Sequence, residues 1–185
     1  MLAYFQLQPA ESDLQHLADE YWQHSADKDR ELERAAFEAG EAIRNGDHTL
    51  ANLEAIVRWK HERAVHYLIA SSNEKIRHAL SIAAAPAATT EEAVRALMEL
   101  HGVDLPVASA ILAAIFPDRY TALDFHSLEA LGHARHDLHF YQEYVDFCRH
   151  LAESNIVQPQ SGLPGATPLR ALDRALSEWS RSHDS

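Results

Sequence analysis

The sequence predicts an all-α protein with one folded domain, and three observations lead to this prediction. Only 6 glycines occur in 185 residues. Between helix-breaking residues, apolar side chains recur three and four positions apart, which is the period of a helix and not the alternation of a strand. Hydrophobic residues make up 46% of the chain and charged residues 24%, a composition typical of globular proteins. A chain of this length buries enough surface to fold without a disulfide or a metal ion.

The helical period divides the chain into nine predicted helices. Eight of them span, approximately, residues 12–25, 28–44, 50–70, 73–84, 90–101, 106–116, 138–154 and 168–179. The remaining one, the seventh in order, follows Asp124. The third helix has the least definite end, because its apolar pattern continues through Leu68 to the polar run at 71–73. No internal repeat of fixed period accompanies these segments.

Capping residues justify several of these boundaries. Ser12 begins a capping-box pattern at the first helix. The second helix ends at the turn sequence of residues 45–47, which is Asn-Gly-Asp. Asn73 is the predicted cap of the fourth helix, and Thr89 or Thr90 that of the fifth.

We expect one domain with a short linker near its end. Residues 1–157 form the predicted helical domain, and residues 93–132 within it carry the most informative pattern. The stretch 158–167 contains most of the late glycines and prolines and is the predicted linker. Residues 168–185 then form a terminal helix that packs on the same domain.

Charge and hydropathy exclude several classes of function. Asp and Glu number 28 against 16 Lys and Arg, which gives a net charge of −12. This acidity disfavours unspecific attraction to nucleic acid, because neutralisation of phosphates dominates such binding. The sequence has no run of eighteen apolar residues and no secretory signal pattern at its start. We therefore expect no membrane partner and a cytoplasmic location.

Metal and disulfide chemistry is also restricted by the sequence. The single cysteine, Cys148, cannot form an internal disulfide or a cysteine-based zinc site. The chain has 13 histidines, and His133, His136 and His139 recur at three-residue spacing. No zinc-protease motif accompanies them. We expect neither a metal ion nor a cofactor.

The most informative segment, residues 100–132, reads LHGVDLPVASAILAAIFPDRYTALDFHSLEALG. A glycine turn at Gly102 ends one helix. Pro106 begins the next helix, where its missing N–H and fixed φ fit the first turn. Small residues fill this second helix and permit close packing against a neighbour. A short apolar segment then leads to Asp124 at the start of another helix, where the helix dipole favours a carboxylate.

This arrangement resembles the helix-hairpin-helix DNA glycosylase superfamily, which includes the endonuclease III, MutY and alkyladenine enzymes. The family pattern is an L-P-G-V-G hairpin, an alanine-rich helix, and V-D-x-H/R-V at the start of the next helix. The matching pieces here are residues 100–104, 107–114 and 123–126. In lyase-type members the catalytic aspartate follows a lysine by eighteen positions, and Asp124 follows Pro106 by the same interval. The resemblance covers 33 residues and implies a glycosylase-like fold with a central helix-hairpin-helix.

By this resemblance, Asp124 is the catalytic carboxylate. Cleavage of an N-glycosidic bond develops positive charge on the sugar, which a carboxylate stabilises while it orients or deprotonates water. The base must first leave the DNA stack and contact aromatic or apolar side chains. Five aromatic residues are candidates for this contact: Trp22, Trp59, Tyr67, Phe125 and Tyr141.

The resemblance also implies a DNA-binding surface. The hairpin residues that would lie near a phosphate are Gly102, Val103, Asp104, Leu105 and Pro106. His126 stands where the family has histidine or arginine, with a purely structural role as the alternative. The basic stretch 58–63 contributes Trp59, Lys60 and Arg63, a composition suited to nucleic acid. Its alternative interpretation is an inward-packed tryptophan beside a solvated charged face.

Two departures from the family pattern restrict the expected chemistry. Pro106 occupies the lysine position and has no amine, so a Schiff-base lyase mechanism at that position is excluded. The expected enzyme is therefore monofunctional and hydrolytic. Asp104 replaces the second glycine of the hairpin, where its carboxylate caps the helix and repels phosphate. The iron–sulfur cluster cysteines of some members are missing as well.

The sequence leaves two functions open. The first is a DNA-binding hydrolase that releases a flipped base during DNA repair or modification. The second is a catalytically inactive helix-hairpin-helix scaffold that binds DNA or a protein partner, which the acidity and Asp104 favour. Asp124 is the residue that discriminates between them.

Overall fold

The computed structural model describes residues 4–133 and 137–184, and every regular element in this part of the chain is helical. The nine α-helices are α1 (Leu14–His24), α2 (Asp27–Arg44), α3 (Leu50–His61), α4 (Asn73–Ala83), α5 (Thr90–Met98), α6 (Leu105–Ile115), α7 (Phe125–Glu129), α8 (Leu138–Glu153) and α9 (Pro168–His183). Two 3₁₀ segments, Glu11–Asp13 and Glu62–Ala70, accompany them. The prediction of an all-α protein is confirmed.

The described chain forms two compact units. Residues 27–116 form the middle unit, and residues 4–26, 117–133 and 137–184 form the terminal unit. The predicted linker at 158–167 lies within the terminal unit, as does α9.

Helix α6 is the core of the middle unit. Its residues are apolar except for Ser109, nearly all of them are buried, and α2, α3 and α5 pack against it. Its small residues permit close packing, and Gly40 of α2 lies directly against the carbonyl group of Ala114. Arg44, one turn later on α2, donates a hydrogen bond from Nη1 to the carbonyl oxygen of Ile115 over 2.7 Å. This bond satisfies a carbonyl that the end of α6 leaves without an intrahelical partner.

Helix α9 is the core of the terminal unit. Helices α1, α7 and α8 pack against it, and it carries an unusual set of buried polar residues: Arg170, Asp173, Arg174, Ser177, Glu178 and Ser180. Arg174 donates from Nη1 to Oε1 of Gln160 over 2.9 Å and from Nη2 to the carbonyl oxygen of Pro164 over 2.7 Å. The stretch 158–167 is therefore attached to α9 by a buried guanidinium.

Helix caps agree with the sequence in some places and differ in others. Thr89 forms a full capping box with Glu92, as a threonine at that position predicts. The predicted cap at Asn73 is wrong, because Ser72 takes that role and accepts a hydrogen bond from the N–H of Lys75. The predicted capping box at Ser12 is also wrong, because Ser12 lies inside a 3₁₀ turn that runs into α1.

The predicted continuation of the third helix through Leu68 is wrong as well. His61 leaves the helical region with φ −158° and ψ 87°, and the chain continues as a 3₁₀ segment. This segment packs on the turn between α5 and α6: Ser71 at its end accepts a hydrogen bond from the N–H of His101 over 2.9 Å. Such long-range contact overrides a local helical period.

No helix among residues 4–133 and 137–184 combines the length and the apolar character needed to cross a bilayer.

Candidate functional site

The site around Asp124 begins with the buried segment that precedes it. Residues 120–123 are almost fully buried, and two tyrosines of α8 satisfy their carbonyl groups. Tyr141 donates its hydroxyl to the carbonyl oxygen of Thr121 over 3.1 Å, and Tyr144 donates to that of Ala122 over 3.4 Å. These hydrogen bonds hold the backbone that leads to Asp124 in place.

Burial raises the pKa of both Tyr141 and Tyr144 well above their ordinary value, because a phenolate is strongly destabilised away from water. The carboxylate of Asp173 adds to the increase for both groups. The two hydroxyls therefore remain protonated and continue to donate to the backbone.

Asp124 stands at the N-cap position of α7, with extended backbone angles of φ −124° and ψ 140°. Its carboxylate makes no capping hydrogen bond to α7. Instead, Oδ2 accepts a hydrogen bond from the hydroxyl of Ser177 on α9 over 3.3 Å. The side chain is half-buried, so the carboxylate is held in position and is still reachable from solvent.

A buried chain of polar groups continues from Ser177. The hydroxyl of Ser127 on α7 lies 3.1 Å from that of Ser177 and donates to Oδ1 of Asp173 over 2.8 Å. Arg170 forms a buried ion pair with Oδ2 of Asp173. Two carboxylates thus share one network, and they differ in environment: Asp173 is buried and neutralised by Arg170, while Asp124 is accessible.

The structure separates the five aromatic candidates by exposure. Tyr141 is fully buried and cannot contact a ligand. Phe125 directly follows Asp124, and 63% of its surface is exposed. Tyr67 is 55% exposed, but it belongs to the middle unit. Trp59 packs edge-on against Phe37, and Arg174 lies over the ring of Trp22 at 5.4 Å. Phe125 is therefore the exposed aromatic candidate that adjoins Asp124 in the sequence.

His126 has polar partners on α9. Its Nδ1 lies 2.9 Å from the hydroxyl of Ser180 and 3.9 Å from Oδ2 of Asp184. The same hydroxyl donates to Oε2 of Glu129, one turn further along α7. One nitrogen of His126 and one carboxylate oxygen each from Glu129 and Asp184 lie within 4.8 Å of one another. These three groups are of types that bind metal ions.

The predicted hairpin lies in the middle unit, at the junction of α5 and α6. Gly102 adopts φ +83°, a conformation that favours glycine. Asp104 caps α6 by accepting the N–H of Val107 over 3.0 Å. Pro106 has no N–H, and the N–H of Ala108 donates to the carbonyl oxygen of Asp104 over 2.9 Å. This arrangement leaves little backbone to bind a phosphate.

The 3₁₀ segment lies directly against this turn. A Cβ added at Gly102 would lie 2.7 Å from Cβ of Tyr67 and 3.0 Å from the carbonyl oxygen of Ala64. The exposed ring of Tyr67 packs on that of His66 at 4.0 Å. Aromatic surface therefore adjoins the hairpin. Ile69 of the same 3₁₀ segment is 73% exposed.

The basic stretch 58–63 spans the end of α3 and the start of the 3₁₀ segment. Trp59 is half-buried against Phe37 and Lys60 is half-buried, whereas Arg63 is exposed. A tryptophan that packs inward beside an exposed charged residue is the arrangement expected if this stretch has a structural role and does not bind nucleic acid. Trp59, Lys60 and Arg63 lie in the middle unit with the hairpin, and Asp124 and His126 lie in the terminal unit.

Sequence reasoning missed the polar partners contributed by α9. Ser177 and Ser180 follow one another at three-residue spacing, with Asp173 four positions earlier, so they share one face of the helix. That spacing was a usable signal, but nothing in the sequence indicates that this face is buried. Of the three histidines at three-residue spacing, His136 lies outside the described residues.

Comparison of the chain with protein-family models, curated proteins and solved structures gives no match.

Proposed function

We propose that this protein is a DNA-binding hydrolase related to the monofunctional helix-hairpin-helix DNA glycosylases, with Asp124 as its catalytic carboxylate. In this proposal the turn between α5 and α6 is the hairpin of the family, and the start of α7 is the active segment. The reaction is hydrolysis of the N-glycosidic bond of a base flipped out of DNA.

One observation carries the proposal. The carboxylate of Asp124 is not used to cap α7, although it stands at the N-cap position. A structural aspartate at that position ordinarily accepts a backbone N–H of the first turn. Here a serine hydroxyl from a different helix holds it, which is the kind of support that a reactive carboxylate needs.

The chemistry follows from the charge of this group. As the glycosidic bond breaks, the sugar develops oxocarbenium character, and an anion beside it lowers the energy of the transition state. The water oxygen bonds to the anomeric carbon while the same carboxylate accepts a proton from that water. The base leaves with the electron pair of the broken bond and takes up a proton from solvent. Ser177 is a positioning residue, since its hydrogen bond orients the carboxylate without contact with substrate.

Phe125 supports the proposal by its place and its exposure. It adjoins Asp124 in the sequence and is 63% exposed. An exposed aromatic ring on the residue that follows the reacting group offers a stacking surface for an extruded base.

The test is mass spectrometry of the bases released from chemically damaged genomic DNA by the purified protein. This substrate assumes no particular lesion. We expect the wild-type protein to release a specific base and Asp124→Asn to release none. Asp118→Asn is the matched control, because Asp118 is an exposed aspartate of the same unit and its change alters the net charge equally.

Several results would remove the proposal. Base release that persists in Asp124→Asn would show that another group acts, and release that is absent from the wild-type protein would favour the second candidate. Circular dichroism of each variant must show an intact helical fold, so that loss of activity reports on chemistry.

The second candidate is a non-catalytic scaffold of the same fold that binds a protein partner or DNA. The cap made by Asp104 favours it, because the carboxylate occupies the place where a phosphate would approach α6. Measuring the affinity for DNA over a series of salt concentrations distinguishes DNA binding from protein interaction. Affinity for DNA that falls steeply with salt indicates contact with phosphates, and absence of binding at low salt leaves protein interaction.

A further inference from the structure

We infer that His126, Glu129 and Asp184 form a binding site for a divalent transition-metal ion such as Zn²⁺. The inference does not rest on the proposed release of a base. Glu129 and Asp184 have no role in that proposal, and His126 enters it only as a residue that the resemblance places near DNA. The sequence predicts no metal site, and the site arises only when the end of α9 lies against α7.

The first argument is geometric. His126 and Glu129 are three positions apart on α7 and therefore project from one face of the helix. Asp184 caps the C-terminus of α9 and approaches the same place. One ligand atom from each of the three side chains lies within 4.8 Å of the others, and Nδ1 of His126 lies 3.9 Å from Oδ2 of Asp184. Small rotations of these side chains would bring all three atoms to the coordination distance of a single ion.

The second argument is electrostatic. Two carboxylates face one imidazole in a chain whose net charge is −12. The C-terminus of α9, a helix of 16 residues, adds the negative end of its dipole at the same point. A bound cation offsets all of these charges at once.

The third argument concerns support for the ligands. Ser180 is 1% exposed, and its hydroxyl contacts both His126 and Glu129. Because that hydroxyl donates to Glu129, it accepts from Nδ1–H of His126. These bonds hold both side chains at the site, and a bound ion would take the place of the proton on Nδ1. Side chains of His126 and Asp184 are 34% and 51% exposed, so an ion reaches the site from solvent.

The donor set indicates the class of ion. One imidazole nitrogen with two carboxylate oxygens suits Zn²⁺, Co²⁺ or Mn²⁺ better than Ca²⁺ or Mg²⁺, which prefer oxygen ligands alone. Three protein ligands leave at least one further coordination position for water.

The test is isothermal titration calorimetry of the metal-free full-length chain with Zn²⁺. We expect a saturable site for one ion, with affinity reduced by at least roughly tenfold in His126→Ala and in Asp184→Asn. Because 13 histidines create weak background binding, His139→Ala is the matched control. His139 also lies near a carboxylate, that of Glu143 at 3.6 Å, and its loss should leave the affinity unchanged.

A spectroscopic measurement keeps the test valid if one of the variants fails to fold. Co²⁺ bound in the site gives a visible absorption band, which the exposed change Asp184→Asn should abolish while circular dichroism stays that of the wild-type protein. Equal Zn²⁺ affinity in the wild-type protein and His126→Ala would overturn the inference. So would an affinity that falls as much in His139→Ala, because binding would then be unspecific.

Discussion

The carboxylate of Asp104 accepts a hydrogen bond from the backbone N–H of Val107 over 3.0 Å. A negative charge therefore lies at the turn that resembles a phosphate-binding hairpin. The bond stabilises the start of α6. The same charge opposes any phosphate that approaches this end of the helix. A stable helix cap and the approach of a phosphate therefore make opposite demands on this residue.

Replacing Asp104 with asparagine separates these two demands. Asparagine caps helices as well as aspartate, so the free energy of unfolding should change by less than about 0.5 kcal/mol. Loss of the charge should strengthen DNA binding by about 1 kcal/mol at low salt, or roughly fivefold. Fluorescence anisotropy with a labelled duplex measures the affinity. Asp47→Asn, an exposed change in the same unit, controls for net charge. An equal gain in DNA affinity in both variants would mean that DNA does not bind at this turn.

Gly102 should tolerate no side chain. With φ +83°, alanine incurs a backbone cost of about 1–2 kcal/mol, and its Cβ would also meet Cβ of Tyr67 at 2.7 Å. Gly162 has a similar φ of +79° with no atom within 4 Å of an added Cβ. Urea unfolding should therefore show Gly102→Ala to be less stable than Gly162→Ala by at least about 1 kcal/mol. Equal losses would mean that the 3₁₀ segment does not press on the turn.

Gly40 should be more sensitive still. A Cβ at this position would lie 2.0 Å from the carbonyl oxygen of Ala114, and backbone cannot move aside as a side chain does. We expect Gly40→Ala to lower the free energy of unfolding by about 3 kcal/mol, at the upper end of overpacking costs. Its exposed neighbour Glu41 provides the control, since Glu41→Ala should change stability by less than about 0.5 kcal/mol. Thermal unfolding of both variants would test the close approach of α2 and α6.

Stability should fall at alkaline pH because of Tyr141 and Tyr144. Their pKa values are raised in the folded protein above the ordinary value of 10.0, so above pH 10 the unfolded chain releases protons that the folded chain keeps. The contribution of these groups is complete below pH 10 and is lost as the pH rises further. Each tyrosine should add a slope of about 1.4 kcal/mol per pH unit.

Urea unfolding between pH 8 and pH 11 measures this slope. Above pH 10, the free energy of unfolding should fall less steeply with pH in Tyr144→Phe than in the wild-type protein. Phe140→Leu, a change in the same buried helix face that removes no hydroxyl, should lose stability equally at all pH values. An identical slope in the wild-type protein and Tyr144→Phe would contradict the assignment of the pH dependence to this buried hydroxyl.

Local features of the chain were readable from the sequence because their causes lie within a few residues. The helical period predicted the nine helices, and the capping box of Thr89 followed from side chains next to the backbone that they satisfy. The turn at Gly102 followed from the positive φ that glycine tolerates. Capping by Asp104 was predictable for the same reason. Where two neighbouring residues both suit a cap, as Ser72 and Asn73 do, propensity alone did not choose between them.

Tertiary structure decided the features that join distant parts of the chain. The hydrogen bond from Ser177 to Asp124 spans 53 positions, and Asp184 reaches His126 over a similar interval. The 3₁₀ segment likewise depends on its contact with the turn at Gly102. A period of three and four residues shows which face of a helix is apolar, but not which helix covers it, because packing partners are selected by shape and burial across the whole fold. The sequence thus determined the helices and proposed Asp124, and only the packing of α7 on α9 determined which side chains surround it.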